Sequence, residues 1–432
     1  MTQRSADPAT PTPSEPDLDP PTAHDAAVPA EFVEAANELS VGVAEVLPAD
    51  GLAPRLARAA SERRPLRVKL GIDPSGTELT LGHAVVLRKL RQFQDLGHTA
   101  VLIVGDFTGR VGDPTGRSEV RKVQSEEQVR ANAATYLDQV KRILREDRLE
   151  VRYNSEWLAT MDFSEVLGYT SLMTVARLLE RDDFNKRYKA GQPISLMEFM
   201  YPLMQGLDSI FIDADIELGG TDQTYNNLVG RQLQTAMKRL PQLVITVPLL
   251  RGTDGADKMG KSLGNYVAIG EAPSEQYGKI MSISDDVTPH YAELTTSWNR
   301  SELEDFARLQ ADDPYAAKRR VAERVVELYW GADAAAKAAE EFTNRFSKKQ
   351  IDAEALAAHV VVADGDSVGL IALLVAAGLA TSNGDARRTL QQGGIKLDGV
   401  KLDPSCETLE VAGLDGAVLQ RGKRQAVRLA LD

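Results

Sequence analysis

Between Arg67 and Leu250 the chain alternates short apolar runs with longer stretches of helical period, and that alternation admits few folds. Arg67–Ile72 reads as a strand, Leu81–Leu96 as a helix closed by Gly97, and Thr99–Gly105 as a second strand that is apolar without interruption. A strand that is apolar on both faces must be covered on both, the condition of a parallel sheet flanked by helices. Together they make one βαβ unit. The pattern then repeats. Ser125 to Gln128 has the form of a capping box opening a helix to about Glu146, and Leu149–Tyr153 is a third strand. Pro202–Phe211 is helical, Ile216–Leu218 a short strand, Thr221–Lys238 helical and Leu243–Leu250 a strand. Such interleaving predicts an α/β fold, a doubly wound, Rossmann-type parallel sheet.

At 432 residues the chain exceeds one hydrophobic core, so further domains are expected on either side of that sheet. Residues 1–29, rich in Pro, Asp, Ala and Thr, hold too little apolar surface to offset ordering and read as a disordered extension. Two short helical stretches follow from Glu31, the second (Leu52–Arg63) ended by Pro65. Past Asn265 the strand signal fades and Glu302 to about Phe346 is helical; the stretch around Val360 reads as a linker. The last part has turn signals at Asn383-Gly384, Gly393-Gly394 and Asp398-Gly399. The expected domains are a catalytic domain over 30–270, a helical domain over 271–355, a linker over 356–364 and a small α+β unit over 365–432.

Composition excludes several classes. With 43% hydrophobic and 26% charged residues and no apolar run near the roughly 18 residues of a membrane span, no membrane role is expected. The lone cysteine, Cys406, can form neither an internal disulfide nor a cysteine-rich metal site, which suits a reducing cytoplasm. The first residues carry no apolar signal core. A net charge of −13 runs against phosphate binding, so positive residues must be sought locally.

Two local sequences do that. The first strand ends in Gly71-Ile72-Asp73-Pro74-Ser75-Gly76, and Thr80-Leu81-Gly82-His83 opens the next helix. A loop leading from a strand into a helix N-terminus places unpaired N–H groups and the helix dipole at one spot, an anion site. Gly82 permits close approach of a ligand and His83 can donate to phosphate. The second is Asp257-Lys258-Met259-Gly260-Lys261-Ser262-Leu263-Gly264-Asn265, where two lysines three apart can clamp a pyrophosphate whose charge grows in a transition state. Gly255 to Ser262 also fits the P-loop pattern, but a P-loop runs into a long helix and Gly264-Asn265 break one at once, so the match reads as accidental.

Together these sequences resemble the two signatures of class I aminoacyl-tRNA synthetases, with Thr80 in place of the first His of one and Gly260 in place of the central Ser of the other. Three further stretches are similar, in order and spacing, to the bacterial tyrosyl-tRNA synthetase family: Gly105 to Gly116, Tyr201 to Asp208, and Gly219-Gly220-Thr221-Asp222-Gln223. The resemblance covers roughly residues 30 to 432 and implies a ligase that joins tyrosine to its tRNA at the expense of ATP. It implies that Thr80, His83, Lys258 and Lys261 act on the phosphates, and that Gly71, Asp73, Gly82, Gly220, Asp222 and Ser262 bind ATP. Asp113, Tyr201 and Gln205 would hold the substrate ammonium, Asp208 the phenolic hydroxyl, and Gln223 would face the carboxyl end. Tyr201, Gln205 and Asp208 do share one face at helical spacing. Arg117 and Arg121 would add pyrophosphate contacts. Lys69 stands where many bacterial relatives have a Tyr that shares the substrate hydroxyl, and either pairs with Asp208 or faces solvent.

The C-terminal stretches Ser382–Arg388, Gly393–Gly399 and Leu419–Arg424 resemble a small RNA-binding domain of ribosomal-protein type, implying that Arg387, Arg388, Lys396, Lys423 and Arg424 meet tRNA. From Asp385 to Arg428 there are eight Lys/Arg and six Asp/Glu, a locally basic end in an acidic chain. The family also implies a homodimer, ATP entering as its Mg²⁺ complex, and no protein-ligated metal. The sister family specific for tryptophan shares the fold and both signatures, but its substrate has no phenol for Asp208.

Overall fold

Six strands form one sheet: β1 (Glu45–Leu47), β2 (Arg67–Ile72), β3 (Thr99–Val104), β4 (Leu149–Tyr153), β5 (Ile216–Gly220) and β6 (Leu243–Val247), in the order β1-β6-β5-β2-β3-β4. The structure is a computed structural model that describes residues 27–74, 76–113, 125–344, 356, 358–361, 365–422 and 425–431. The strands from β2 to β6 run parallel, and β1 closes the β6 edge antiparallel. Every residue of β6, and all of β3 but Thr99, is buried, so the uninterrupted apolar runs are explained by helices on both faces. β2 pairs with β3 on one side and with β5 on the other. The winding therefore reverses between β2 and β5, and a crevice opens beyond their carboxyl ends, where such sheets bind ligands.

Two helices frame that crevice. The Leu81–Asp95 helix starts at Thr80, whose side chain and that of His83 bond reciprocally to each other's backbone N–H groups, a capping box with His in the place usually held by Glu or Gln. The Leu196–Phe211 helix begins six residues earlier than the sequence reading placed it, because Ser195 and Glu198 form a capping box upstream of Pro202. Pro202 lies inside the helix and buried. Ile103 of β3, Leu207 and Ile210 of this helix, and Val229 and Leu233 of the Thr224–Ala236 helix belong to one buried cluster. Truncating one of these large side chains to Ala costs about 2–5 kcal/mol. Between β4 and that helix lie four elements not anticipated, Ser155–Leu158, Phe163–Thr170, Val175–Leu178 and Asp182–Lys189, all short helices.

The chain packs as two units, one running to Glu271 and resuming at Lys279–Val325, the other made of Ala272–Gly278 and everything from Val326. Of the helices that fall in the expected 271–355 domain, Thr288–Thr295 and Arg300–Asp312 pack in the first unit and Ala332–Phe342 in the second. The Thr288–Thr295 helix belongs with the sheet because Tyr291 Oη donates to the carbonyl of Arg251 at 2.9 Å, and Arg88 donates to Ser297 Oγ at 2.8 Å. In the second unit β7 (Ala358–Val361), β8 (Ser367–Gly369), β9 (Ile395–Leu397), β10 (Val400–Lys401), β11 (Thr408–Glu410), β12 (Val418–Arg421) and β13 (Gln425–Leu431) form a five-stranded sheet, β10-β9-β12-β13-β7, and the pair β11-β8. Residues 358–361, read from sequence as part of a linker, are the edge strand that pairs parallel to β13. Their alternate burial is too short a signal to show before the partner strand is known. Leu370, Leu374, Leu390, Ile395, Leu419 and Leu429 share the core of this unit. No described helix is long and apolar enough to cross a membrane. The expected disordered extension falls on residues of which only 27–29 are described.

Candidate active site

A cavity of about 340 Å³ occupies the crevice at the carboxyl ends of β2 and β5, within the range of small-molecule sites. The residues expected to bind ATP and tyrosine all line it, except Lys261 and Ser262 on the lysine loop; Arg117 and Arg121 lie outside the described residues. Gly71, one residue before the end of β2, lies at the wall, where a Cβ would meet open space, so the backbone itself is the lining.

Asp208 lies buried in the lining and its carboxylate is held by two donors, Trp157 Nε1 at 3.0 Å on one oxygen and Asn154 Nδ2 at 3.4 Å on the other. Burial pushes this carboxyl up to about 7, against the pull of the Lys69 ammonium and of those two hydrogen bonds. Lys69 neither pairs with Asp208 nor faces water. It is fully buried and ion-paired with Glu217 at 2.9 Å, because β5 runs beside β2 and places Glu217 opposite it in register. No substrate hydroxyl reaches its ammonium without breaking that network.

Tyr201 Oη donates to Asp73 Oδ2 at 2.8 Å, and Asp73 Oδ1 accepts from Thr108 Oγ at 2.8 Å. Asp73, expected beside ATP, therefore adjoins the residues expected around the amino acid. Burial, with Asp73 next, raises the Tyr201 phenol well above its ordinary value, so it acts as a donor. Asp113 accepts from Gln223 Nε2 at 2.7 Å and lies 3.4 Å from Arg181 Nη2. Gln205 donates through Nε2 to Glu217 and Asn227.

Toward the other end, the Thr80 backbone N–H donates to His83 Nδ1 at 3.2 Å, with Thr80 Oγ 2.9 Å from the same nitrogen. An accepting Nδ1 puts the proton on Nε2. Burial lowers the imidazole to about 4, with repulsion from Lys261 adding to it, so near neutral pH His83 is an uncharged donor. Lys258 Nζ is 3.3 Å from Asp222 Oδ2 and half exposed, a pair that water screens. Lys261 donates to the Glu78 carbonyl at 3.0 Å and to Tyr136 Oη at 2.9 Å. After it come a single 3₁₀ turn, Lys261–Leu263, and Gly264 at φ 67°, a left-handed residue that ends the turn. There is no long helix here, as the rejected P-loop match would need. The loop is organised instead by buried Asn265, whose Nδ2 donates to Asp254 Oδ2 at 2.6 Å and to the Lys258 carbonyl at 3.3 Å, while its Oδ1 accepts from Gly260 N at 2.9 Å.

Sequence reasoning did not single out Asn154, Trp157, Glu217 or, in this part, Asn265. Each acts alone from a different element, so no spacing betrays it; the one available hint was a Trp and an Asn directly after a β4 strand end that points into the crevice.

In the second unit Arg387 and Arg388 are exposed on the Asn383–Gln391 helix, whose Ala386 and Leu390 are buried, and Lys396 lies half-buried on β9. Lys423 and Arg424 lie outside the described residues. Arg421 of β12 is taken up by a bidentate pair with Asp385, both contacts at 2.8 Å, which ties the helix to the sheet.

The family model for class I tRNA synthetases (W and Y) matches residues 61–347. The tyrosine–tRNA ligase of Salinibacter ruber is 47% identical over 388 residues, 90% of this chain and 94% of that protein. That of Thermotoga maritima is 46% identical over 84% of this chain and 90% of its own length. Among solved structures, a C-terminally truncated mitochondrial tyrosyl-tRNA synthetase of Aspergillus nidulans superposes with a TM-score of 0.61 at 24% identity, covering 73% of this chain and 94% of that one. The Archaeoglobus fulgidus tyrosyl-tRNA synthetase complexed with L-tyrosine does so at 0.58 and 20% identity, covering 71% and 99%; both show the fold. On the identity and coverage of the curated relatives, the chain belongs to the class I tRNA synthetases of the W and Y group, and within it to the family of the tyrosine–tRNA ligases.

Proposed function

We infer that this chain is a tyrosine–tRNA ligase, and that the cavity described above is where tyrosine and ATP meet. The observation that carries the reading is a buried carboxylate, Asp208, in one wall of a cavity whose other lining residues include His83 and Lys258. The two donors that fix this carboxylate, Trp157 and Asn154, support its reading as the acceptor of a phenolic hydrogen bond. Tyr201, Gln205 and Asp113 hold the ammonium, and Gln223 faces the carboxyl end. ATP enters as its Mg²⁺ complex, with Gly71, Gly82 and Gly220 allowing the backbone to approach it, Asp222 taking ribose hydroxyls, and Ser262 and Asp73 adjoining.

The chemistry is an in-line displacement at phosphorus followed by an acyl transfer. The tyrosine carboxylate attacks the α-phosphorus of ATP, giving tyrosyl-adenylate and pyrophosphate; the terminal ribose hydroxyl of tRNA then attacks the acyl carbon and releases AMP. Neither step needs a covalent enzyme intermediate. The protein supplies positioning and charge stabilisation, with Thr80, neutral His83, Lys258 and Lys261 directed at the phosphates, joined by Arg117 and Arg121.

The second unit is proposed to hold tRNA through Arg387, Arg388, Lys396, Lys423 and Arg424. The exposure of the first two on one helix supports this. A homodimer is supported by apolar exposure. Seven large apolar side chains between Phe163 and Met197 are exposed, half of the fourteen found among the described residues, apolar surface that a second copy of the chain would cover. A cytoplasmic location accords with a single, unpaired cysteine. The deciding experiment is pyrophosphate exchange into ATP with each of the twenty amino acids. Tyrosine is expected to support it alone, and exchange with tryptophan in its place overturns the reading.

A further inference from the structure

We propose that the buried Lys69–Glu217 ion pair is a positioning device for amino-acid recognition, fixing the polarity of the Gln205 carboxamide so that its carbonyl oxygen, not its NH₂ group, faces the cavity. The proposal rests on the reading of Gln205 as a ligand of the substrate ammonium. A carboxamide is nearly symmetric in shape, yet only its oxygen can accept from a cation. What stands behind Gln205 therefore decides whether it attracts or repels an ammonium group.

Lys69 is fully buried on β2, and its three ammonium hydrogens meet three acceptors: the Gln205 backbone carbonyl at 2.7 Å, Ser209 Oγ at 2.8 Å and Glu217 Oε1 at 2.9 Å. Two of these bracket Asp208 on the substrate-facing helix. Glu217 Oε1 also accepts from Gln205 Nε2 at 3.1 Å, while Oε2 accepts from Ser209 Oγ at 3.0 Å and from Gln242 Nε2. The second hydrogen of Gln205 Nε2 goes to Asn227 Oδ1 at 2.9 Å. With both hydrogens directed backward, Gln205 Oε1 is left toward the cavity that Gln205 lines.

Reversing the amide would set its oxygen against a carboxylate that has no hydrogen to offer. Asn227 can turn its own amide to suit either orientation, and its Nδ2 has no partner among the described residues, so Glu217 is the anchor and Asn227 follows. Lys69 is what allows a carboxylate to be kept at that depth. A neutral Gln at 217 would place its oxygen where Ser209 and Gln242 donate and turn its NH₂ toward Gln205, inverting the preference.

The test compares two ligands that differ in the ammonium group alone, tyrosinol and 3-(4-hydroxyphenyl)propan-1-ol, by their dissociation constants on the full chain. Lys69→Met with Glu217→Gln removes both charges together and leaves no unpaired ion. It is expected to lower the preference for tyrosinol by roughly tenfold or more, the weight of a hydrogen bond to a charged group, while the deaminated ligand binds as before. An unchanged preference, or equal weakening of both ligands as a loosened fold would give, overturns the proposal. Gln205→Ala tests the underlying reading separately: if it leaves the preference intact, Gln205 is not the ammonium ligand at all. Should the double variant not fold, Gln205→Glu with Glu217→Gln replaces it. A carboxylate at 205 has no polarity to lose, so retention of the preference supports the proposal and its loss overturns it.

Discussion

Asp208 joins two properties that pull apart. The folded state raises its carboxyl from an ordinary 3.8 to about 7, so between those pH values the folded protein holds a proton that the unfolded chain has released. Stability from this group therefore falls as pH rises from about 4 to 7 and is lowest above 7, with a ceiling on the order of 4 kcal/mol for a shift of that size. Asp208→Asn is expected to raise the ligand-free melting temperature at pH 8 and to remove that slope, as thermal melts across pH 4–8 will register. The same substitution should cut the preference for tyrosine over phenylalanine by roughly ten- to a hundredfold, because the hydroxyl loses a charged acceptor. A variant no more stable than the parent at pH 8 contradicts the burial argument; undiminished preference contradicts the hydroxyl assignment. In the parent protein the KM for tyrosine should rise as pH falls below 7. At this scale the sequence was informative wherever several residues that line the cavity stand in one motif, as with Thr80 to His83 or Tyr201 to Asp208. Asn154, Trp157 and Glu217 were illegible because each reaches a site residue from a different element, and Lys69 was misjudged because its partner lies 148 residues away.

Among the elements, the lysine loop shows how backbone order serves charge. Lys258→Ala and Lys261→Ala are each expected to slow adenylate formation by about 3 kcal/mol in activation energy while leaving tyrosine affinity unchanged, since their partner charge develops only in the transition state. Single-turnover rates equal to the parent's would return the loop to an idle role. Asn265→Ala should have the same signature at smaller size, about 1–3 kcal/mol, although this side chain carries no charge, because three points of the loop are pinned to it. If stopped-flow rates for Asn265→Ala match the parent's, the pinning is irrelevant to catalysis. The parallel strands β2 to β6 were legible to within three residues, since continuous burial on both faces leaves a continuous apolar signature, whereas the three-residue β1 and the edge strand β7 were not read as strands. The four short helices between Ser155 and Lys189 were not. They bury few residues, and their exposed apolar side chains blur the helical period that would reveal them.

For the whole molecule, activation and tRNA binding should be separable, but not at the boundary the sequence suggested. A truncation at 364 would leave β7 behind without β13, exposing an orphan strand. Ending the chain before Ala358 removes the five-stranded sheet entire and is expected to preserve pyrophosphate exchange while abolishing aminoacylation, because every residue assigned to ATP and tyrosine lies between Gly71 and Ser262. A chain so shortened that charges tRNA at the parent's rate across a range of salt would show that Arg387, Arg388 and Lys396 do not hold it.

The parallel pairing of β7 with β13 bears also on synthesis. Ala358–Val361 leaves the ribosome early in this unit, but its only sheet partner among the described strands is Gln425–Leu431, so the sheet cannot be completed on a nascent chain that stops short of those residues. The catalytic sheet closes over longer separations still, Glu45 pairing with Thr246, but β6 completes it before any strand of the second unit has been made. A premature stop codon near the 3′ end of the message is thus expected to release a polypeptide competent to make adenylate but carrying an unfinished second unit, which quality-control proteases would meet as an open strand edge.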